Sequence, residues 1–397
     1  MNGDVKGDAT DDVKGDLKDD LKVDVQSGIK RRTRRTPHDA FEDLADPGFS
    51  AAVIDWQRQH GRHALPWQNT RDAYRIWLSE IMLQQTQVAA VLGYYSRFLE
   101  RCPTVESLAA ATPEEVMQLW SGLGYYTRAR NLHACARRVV AEYGGQFPVD
   151  PALLADLPGI GRSTAAAISA FAYGTRAAIL DGNVKRVFAR VFGVEQYPGL
   201  KPVEEALWRR AEALRPETGI ERYTQGLMDL GATLCTRANP ACERCPLRAR
   251  CAAYASGRTA ELPVRKPPKA TPEKRAAMLV VLDAGQVLLE QRAETGIWGG
   301  LLSLPEVDGH AGLEVALPDV LASAQRFGAV DTIDALLPLT HGFTHYKLHI
   351  HPRQVALSQR TAAIDGFVWW DLDKIGQAPL PAPVKKLLSQ LAAPSLF

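Results

Sequence analysis

The chain has 397 residues, 46% of them hydrophobic and 23% charged, with 47 Lys plus Arg against 45 Asp plus Glu. That length accommodates two or three domains, the composition is that of an ordinary globular protein, and a formal net charge of +2 does not by itself announce a polyanionic partner. No apolar run reaches the length of a membrane span, no secretory leader is visible, and the cysteine usage fits a reducing intracellular compartment, not secretion.

Residues 1–46 read as a charged tail. The first 29 hold eight Asp and four Lys, a pattern expected to stay disordered. Lys30, Arg31, Arg32, Arg34 and Arg35 follow as a basic run, read as solvated. From residue 47 to 257 the periodicity is helical, with apolar residues at i, i+3 and i+4 in segments 73–99, 113–143, 163–173, 183–193, 203–215 and 221–234. Residues 258–275, rich in Pro, Lys and Arg, read as a linker. The pattern then changes: 276–283 and 286–291 look like paired strands around an Asp-Ala-Gly turn, strands resume near 332–357 and 366–371, and a helix is expected at 382–392. Residues 276–397 thus form a separate α+β domain.

Several motifs stand out within the helical region. Leu157-Pro158-Gly159-Ile160-Gly161 precedes a helix starting near Ser163. Its two glycines permit a sharp turn, and backbone N–H groups beside a helix N-terminus suit a phosphate. Ile179-Leu180-Asp181-Gly182-Asn183-Val184 follows, with Asp181 at a helix start, where a plain N-cap is the ordinary use of Asp. Cys235, Cys242, Cys245 and Cys251 then fall at C-x6-C-x2-C-x5-C. Four crowded thiolates without histidine suit a [4Fe–4S] cluster or a structural zinc. Zinc ribbons present two C-x2-C knuckles, and here only Cys242 and Cys245 make one. Arg237, Arg244, Arg248 and Arg250 in the same segment argue for a surface loop able to meet phosphate. Cys102 and Cys135, in helical segments, read as buried thiols.

The cysteine spacing is similar to the cluster loop of the helix-hairpin-helix DNA glycosylases, the endonuclease III and MutY group, and the hairpin, Asp181 and cysteine loop occur in the same order. Segment 76–88, Ile-Trp-Leu-Ser-Glu-Ile-Met-Leu-Gln-Gln-Thr-Gln-Val, closely resembles the catalytic helix of the MutY branch, whose members act on adenine opposite 8-oxoguanine. Segment 122–131, Gly-Leu-Gly-Tyr-Tyr-Thr-Arg-Ala-Arg-Asn, is similar to another MutY stretch. The resemblance covers residues 50–260 densely and the last 120 more loosely. It implies a mainly α glycosylase domain with a [4Fe–4S] loop over 235–251, followed by a Nudix-like α+β domain. The implied partner is double-stranded DNA with A:8-oxoG or A:G mispairs, bound by a monomer in the cytoplasm or at the nucleoid.

Two carboxylates suit that chemistry. Glu80 has Ile76, Trp77 and Leu83 as helical neighbours, an apolar setting expected to raise its pKa and keep a proton available. The resemblance implies that this proton goes to N7 of adenine. Asp181 is expected to stay ionised and to stabilise an oxocarbenium-like sugar or form a transient adduct, with Asn183 beside it. Ser163 occupies the position where bifunctional relatives carry a nucleophilic lysine, so the chain looks monofunctional; Lys185 is read as a phosphate contact. The resemblance further implies that Gln84, Gln85 and Thr86 meet the lesion, that Tyr125 wedges beside it, and that Leu157, Gly159 and Gly161 hold the backbone. In the last domain Trp298-Gly299-Gly300-Leu301 carries the Nudix likeness, but no R-E-x-x-E-E cluster follows, which argues against metal-dependent hydrolysis. Phe343-Thr344-His345 matches a Phe-Ser-His loop that contacts 8-oxoguanine in the family. Competing readings are an endonuclease III-like lyase, an iron–sulfur electron carrier and a nucleotide-pool hydrolase.

Overall fold

The computed structural model describes residues 44–267, 270–307, 316–343 and 345–392. The charged tail and Thr344 therefore lie outside the described residues. Among the described residues eleven α-helices precede the cysteine loop: α1 Pro47–His60, α2 Ala73–Leu83, α3 Val88–Arg101, α4 Val105–Ala110, α5 Pro113–Trp120, α6 Thr127–Tyr143, α7 Pro151–Ala155, α8 Arg162–Tyr173, α9 Gly182–Val191, α10 Lys201–Ala213 and α11 Ile220–Asp229. A short helix, α12 Ala252–Ala255, follows the loop. Local chemistry sets the starts. Asp46 caps α1 by accepting from Phe49 N–H at 3.0 Å, with Pro47 in its first turn. Asp72 caps α2, and Thr112 with Glu115 forms a capping box on α5.

Two stretches expected to be single helices are each broken once. The 73–99 segment turns at Gln84–Gln87, where Gln85 has φ 56°. The 113–143 segment turns at Ser121–Tyr126, where Gly122, Gly124 and Tyr125 have φ 97°, 77° and 51°. The apolar period runs on across both breaks, which hides them from a periodicity reading.

Beyond α12 the chain forms β1 Glu273–Asp283, β2 Gln286–Gln291, β3 Leu302–Ser303, α13 Leu317–Gln325, β4 Gly328–Ala335, β5 Leu339–Gly342, β6 Lys347–Arg360, β7 Phe367–Asp371 and α14 Ala382–Ala392. The sheet order is β3-β2-β1-β6-β4, with β5 also on β6 and β7 also on β2. β1 and β6 are parallel and the other pairs antiparallel. Side chains alternate across β1. Met278 and Val280 join the core shared with α2–α8, whereas Ala277, Leu279 and Val281 pack under α13. Burial on both faces explains the unbroken apolar run of this strand.

Helical region and sheet thus share one hydrophobic cluster, while α1 and α9–α11 build a second. Polar contacts cross the same seam: Arg130 donates to the Gly299 carbonyl at 2.6 Å and the Tyr126 hydroxyl to that of Leu380 at 3.3 Å. The stretch expected to act as a linker is anchored on the helical side. Leu262 is buried and its carbonyl accepts from Arg190 Nε at 2.8 Å. Its far end already belongs to β1, which begins at Glu273.

Candidate active site

Glu80 lies in the last turn of α2. Ile76 and Trp77 beneath it are buried, and Leu83 is partly so. The side chain is half-buried, at the bottom of a cleft. It accepts no hydrogen bond among the described residues, so nothing offsets the cost of desolvating its charge. Burial first, and the negative charge of Asp181 second, push its pKa up to about 8.

Asp181 is built differently. It caps α9, its Oδ1 accepting from Val184 N–H at 2.7 Å while its Oδ2 accepts from Asn183 Nδ2 at 3.3 Å. Burial raises its pKa; those hydrogen bonds and the Arg186 charge oppose the rise. Arg186 fixes Asn183 in turn, donating to its Oδ1 at 2.7 Å and to the Gly231 carbonyl at 2.6 Å. Ser163 holds the approach to Asp181, since its Oγ accepts from Leu180 N–H at 3.2 Å.

Glu80, Asp181, Asn183, Ser163, Gln84, Gln85 and Thr86 all line one cleft of about 920 Å³. Among the further lining residues that escaped the sequence reading are Arg62, Trp67, Arg186 and Gln225. Arg62 and Gln225 are organised by Asp229, which has no exposed surface. Its carboxylate accepts from Arg62 N–H at 2.8 Å, Arg62 Nε at 2.7 Å and Gln225 Nε2 at 2.8 Å. Arg62, Trp67, Gln225 and Glu80 also face a second cleft of about 930 Å³.

The hairpin lies beside this cleft. Leu157 is buried and its carbonyl accepts from Ile160 N–H at 3.1 Å. Gly159 has φ 78°, and a Cβ there would stand 2.9 Å from that of Asn131, so the turn requires glycine. Gly161, at φ −88° with open space around it, is needed for neither reason. Gln84 Nε2 reaches the Gly159 carbonyl at 3.3 Å, joining the hairpin to the end of α2. Tyr125 is 48% exposed. Tyr126 instead packs at the seam between helices and sheet. Lys185, expected to meet phosphate, does not line the cleft; it pairs with Glu204 at 2.6 Å.

Phe343 and His345 do not line the cleft either. Phe343 stacks on Tyr346 at 4.5 Å and meets the edge of His341 at 4.7 Å, with exposed His345 alongside. His341 was not anticipated. It sits two residues before Phe343 at the end of β5, with no motif of its own to mark it.

Cys235, Cys242, Cys245 and Cys251 surround one cavity floored by Val187, Leu230 and Leu234. Among the described residues no three His, Cys, Asp or Glu side chains converge as the ligands of a single metal ion do. The thiols ring a void instead of meeting at a point, and Arg190 Nη1 lies 3.2 Å from Cys235 Sγ. Four soft donors around a cavity, with a buried cation to balance thiolate charge, fit a multi-iron sulfur cluster better than tetrahedral zinc. Arg248 pairs with Glu243 and Arg250 with Asp46; Arg237 and Arg244 remain exposed. Cys102 and Cys135 are buried thiols, and burial pushes Cys135 up to about 12.

Comparison with known proteins places this geometry. Residues 78–213 match the HhH-GPD superfamily base excision DNA repair protein family, and residues 276–390 match the NUDIX domain. The adenine DNA glycosylase of Buchnera aphidicola subsp. Baizongia pistaciae is 33% identical over 86% of this chain and 96% of its own length. That of Mus musculus is 34% identical over 89% of this chain and 79% of its own. The structure of a thermostable thymine-DNA glycosylase aligns at 33% identity over 52% of this chain and 95% of that one, with a TM-score of 0.49. The chain belongs to the adenine DNA glycosylase family, the MutY branch of the helix-hairpin-helix base excision repair proteins.

Proposed function

We propose that the protein excises adenine mispaired with 8-oxoguanine or guanine by hydrolysing the N-glycosidic bond, without strand cleavage, and so prevents G:C to T:A transversions. The observation that carries this reading is one cleft holding two carboxylates in unlike settings: Glu80, unbonded and raised to about 8, and Asp181, whose hydrogen bonds and neighbouring Arg186 oppose the rise that burial causes. A target base must leave the helical stack to reach such a cleft.

Glu80 donates its proton to N7 of the flipped adenine, which turns a poor leaving group into a neutral one. The C1′–N9 bond breaks, and positive charge develops on the deoxyribose. Asp181, pre-oriented by Val184 and Asn183, stabilises that charge or forms a short-lived ester with C1′. Glu80, now a carboxylate, takes a proton from water as the water oxygen bonds to C1′, which breaks the Asp181–C1′ bond wherever the ester has formed. Asn183 holds Asp181 and the nucleotide. Gln84, Gln85, Thr86 and Tyr125 fill the gap in the duplex, while the hairpin amides at Gly159 and Gly161 hold phosphate. Phe343 and His345 read the 8-oxoguanine strand, with Thr344 between them. Cys235, Cys242, Cys245 and Cys251 would hold a [4Fe–4S] cluster, which when bound cross-links the loop and can exchange single electrons. The partner is double-stranded DNA, bound by a monomer inside the cell.

The test is a single-turnover assay on duplexes carrying A opposite 8-oxoguanine, guanine or thymine, quenched with and without hot alkali. Breaks only after alkali, fastest opposite 8-oxoguanine, are the expected result. Breaks without alkali overturn the monofunctional reading, and equal rates on all three duplexes overturn the mispair reading.

A further inference from the structure

Arg128, in the first turn of α6, is only 8% exposed. Its guanidinium spans two turns that are remote in sequence. Nη1 donates to the carbonyls of Ile81 at 3.0 Å, Met82 at 2.8 Å and Gln84 at 2.6 Å. These acceptors lie at the end of α2, where a helix leaves its carbonyls without internal partners. Nη2 donates to Thr86 Oγ1 at 3.0 Å and to the carbonyls of Leu123 at 3.4 Å and Gly124 at 3.1 Å. The plane lies 5.1 Å from the Trp120 ring and 5.5 Å from that of Tyr125.

Each turn carries a non-glycine residue at positive φ, Gln85 at 56° and Tyr125 at 51°. Such backbone is strained and persists only where its surroundings impose it. Gln85 faces the catalytic cleft and Tyr125 faces solvent. We propose that Arg128 is a positioning residue for mispair recognition, locking these two turns together so that Gln85 and Tyr125 enter the DNA as one preformed unit. The proposal rests on the reading that Gln85 and Tyr125 fill the distorted step. Lysine cannot replace the fork, because three donors on one nitrogen cannot bridge two turns.

The experiment compares the full-length protein with Arg128→Lys, Tyr125→Ala and the double variant. Affinity is measured for a duplex holding the non-cleavable 2′-fluoro-2′-deoxyadenosine opposite 8-oxoguanine, and for a fully paired duplex of the same sequence. Arg128→Lys is expected to lower the mispaired-to-paired affinity ratio about tenfold or more, the effect of some 1.4 kcal/mol, and to leave paired-duplex affinity within roughly twofold. The double variant should lose little beyond either single one. An unchanged ratio, equal weakening on both duplexes, or additive losses overturn the proposal. Should Arg128→Lys fail to fold, Thr86→Val decides when made with and without Tyr125→Ala: a ratio reduced about threefold that is not reduced further in the Tyr125→Ala background supports the lock, and an unchanged ratio, or the same added loss in both backgrounds as a direct Thr86 contact gives, overturns it. A wild-type ratio of one would sink the functional reading itself, leaving the Arg128 contacts with no mispair to serve.

Discussion

Glu80 and Asp181 line the same cleft, yet Asp181 accepts hydrogen bonds from Val184 N–H and Asn183 Nδ2 while Glu80 accepts none from the described residues. The charge of Asp181 raises Glu80 further. Two like groups thus meet different surroundings: burial raises both, and at Asp181 hydrogen bonds and the Arg186 charge oppose the rise.

Single-turnover excision should be bell-shaped in pH. The reactive form needs Glu80 protonated, so the rate falls as pH rises through about 8. It also needs Asp181 ionised, so the acid limb lies above the ordinary aspartate range, burial having raised that group. Glu80→Gln should abolish excision and keep mispair binding. A pH profile flat across 7–9 would remove Glu80 from the proton-donor role.

The same shift has a stability consequence. Glu80 titrates from an ordinary value of 4.5 up to about 8 in the folded chain. The fold therefore favours its neutral form: that contribution is fully present below the ordinary value and is lost as pH rises through the folded one. Glu80→Gln should match the wild type near pH 4 and exceed it near pH 9, by on the order of 2–4 kcal/mol after allowing for partial exposure. Denaturant titrations at the two pH values check this; an equal difference at both would contradict it.

Asn183→Ala removes the Nδ2 bond to Asp181 and the Oδ1 acceptor of Arg186. Without that bond the Asp181 anion is less favoured, so the acid limb should move to higher pH. The plateau rate should drop roughly 10- to 100-fold, as for loss of one preorganised donor. A lowered rate with an unmoved acid limb would assign Asn183 to substrate contact alone.

Arg190 is 2% exposed and donates to the carbonyls of Thr236 at 2.7 Å and Leu262 at 2.8 Å as well as approaching Cys235 Sγ. Arg190→Gln strips the cysteine loop of its only fully buried cation among the described residues and strands those carbonyls. Stability should fall by about 2–4 kcal/mol, with less iron bound per chain. Iron content by colorimetric assay and the urea midpoint read both effects. Wild-type values in both would show that the loop does not depend on Arg190.

Legibility divided along sequence distance. The apolar setting of Glu80 was readable because Ile76, Trp77 and Leu83 are its helical neighbours, and the Asp181 cap because it is a local signature. Asp229 was not readable. It holds Arg62 from 167 positions away, and in isolation each member of that trio is an ordinary polar residue, Arg62 in a loop and the other two in α11. The breaks at Gln84–Gln87 and Ser121–Tyr126 were hidden for a related reason: the acceptors freed by the first are satisfied by Arg128, a residue of the second region's helix. Lys185 looked available for phosphate because its partner Glu204 sits on the next helix, α10.

That ion pair bears on strand cleavage. A lyase needs a free amine to attack C1′ of the abasic sugar, lose water to form a Schiff base, and expel the 3′ phosphate by β-elimination. Lys185 is paired and outside the cleft, whereas Ser163 lines the cleft with Asp181. Ser163→Lys should therefore give alkali-independent nicks and a borohydride-trapped protein–DNA adduct, both absent from the wild type. Excision itself should slow by roughly 3- to 10-fold, because Leu180 N–H loses its acceptor. Glu204→Gln, which frees the Lys185 amine without moving it into the cleft, should yield neither nicks nor adduct. Trapping in Glu204→Gln but not in Ser163→Lys would reverse the assignment and make Lys185 the group that reaches the sugar.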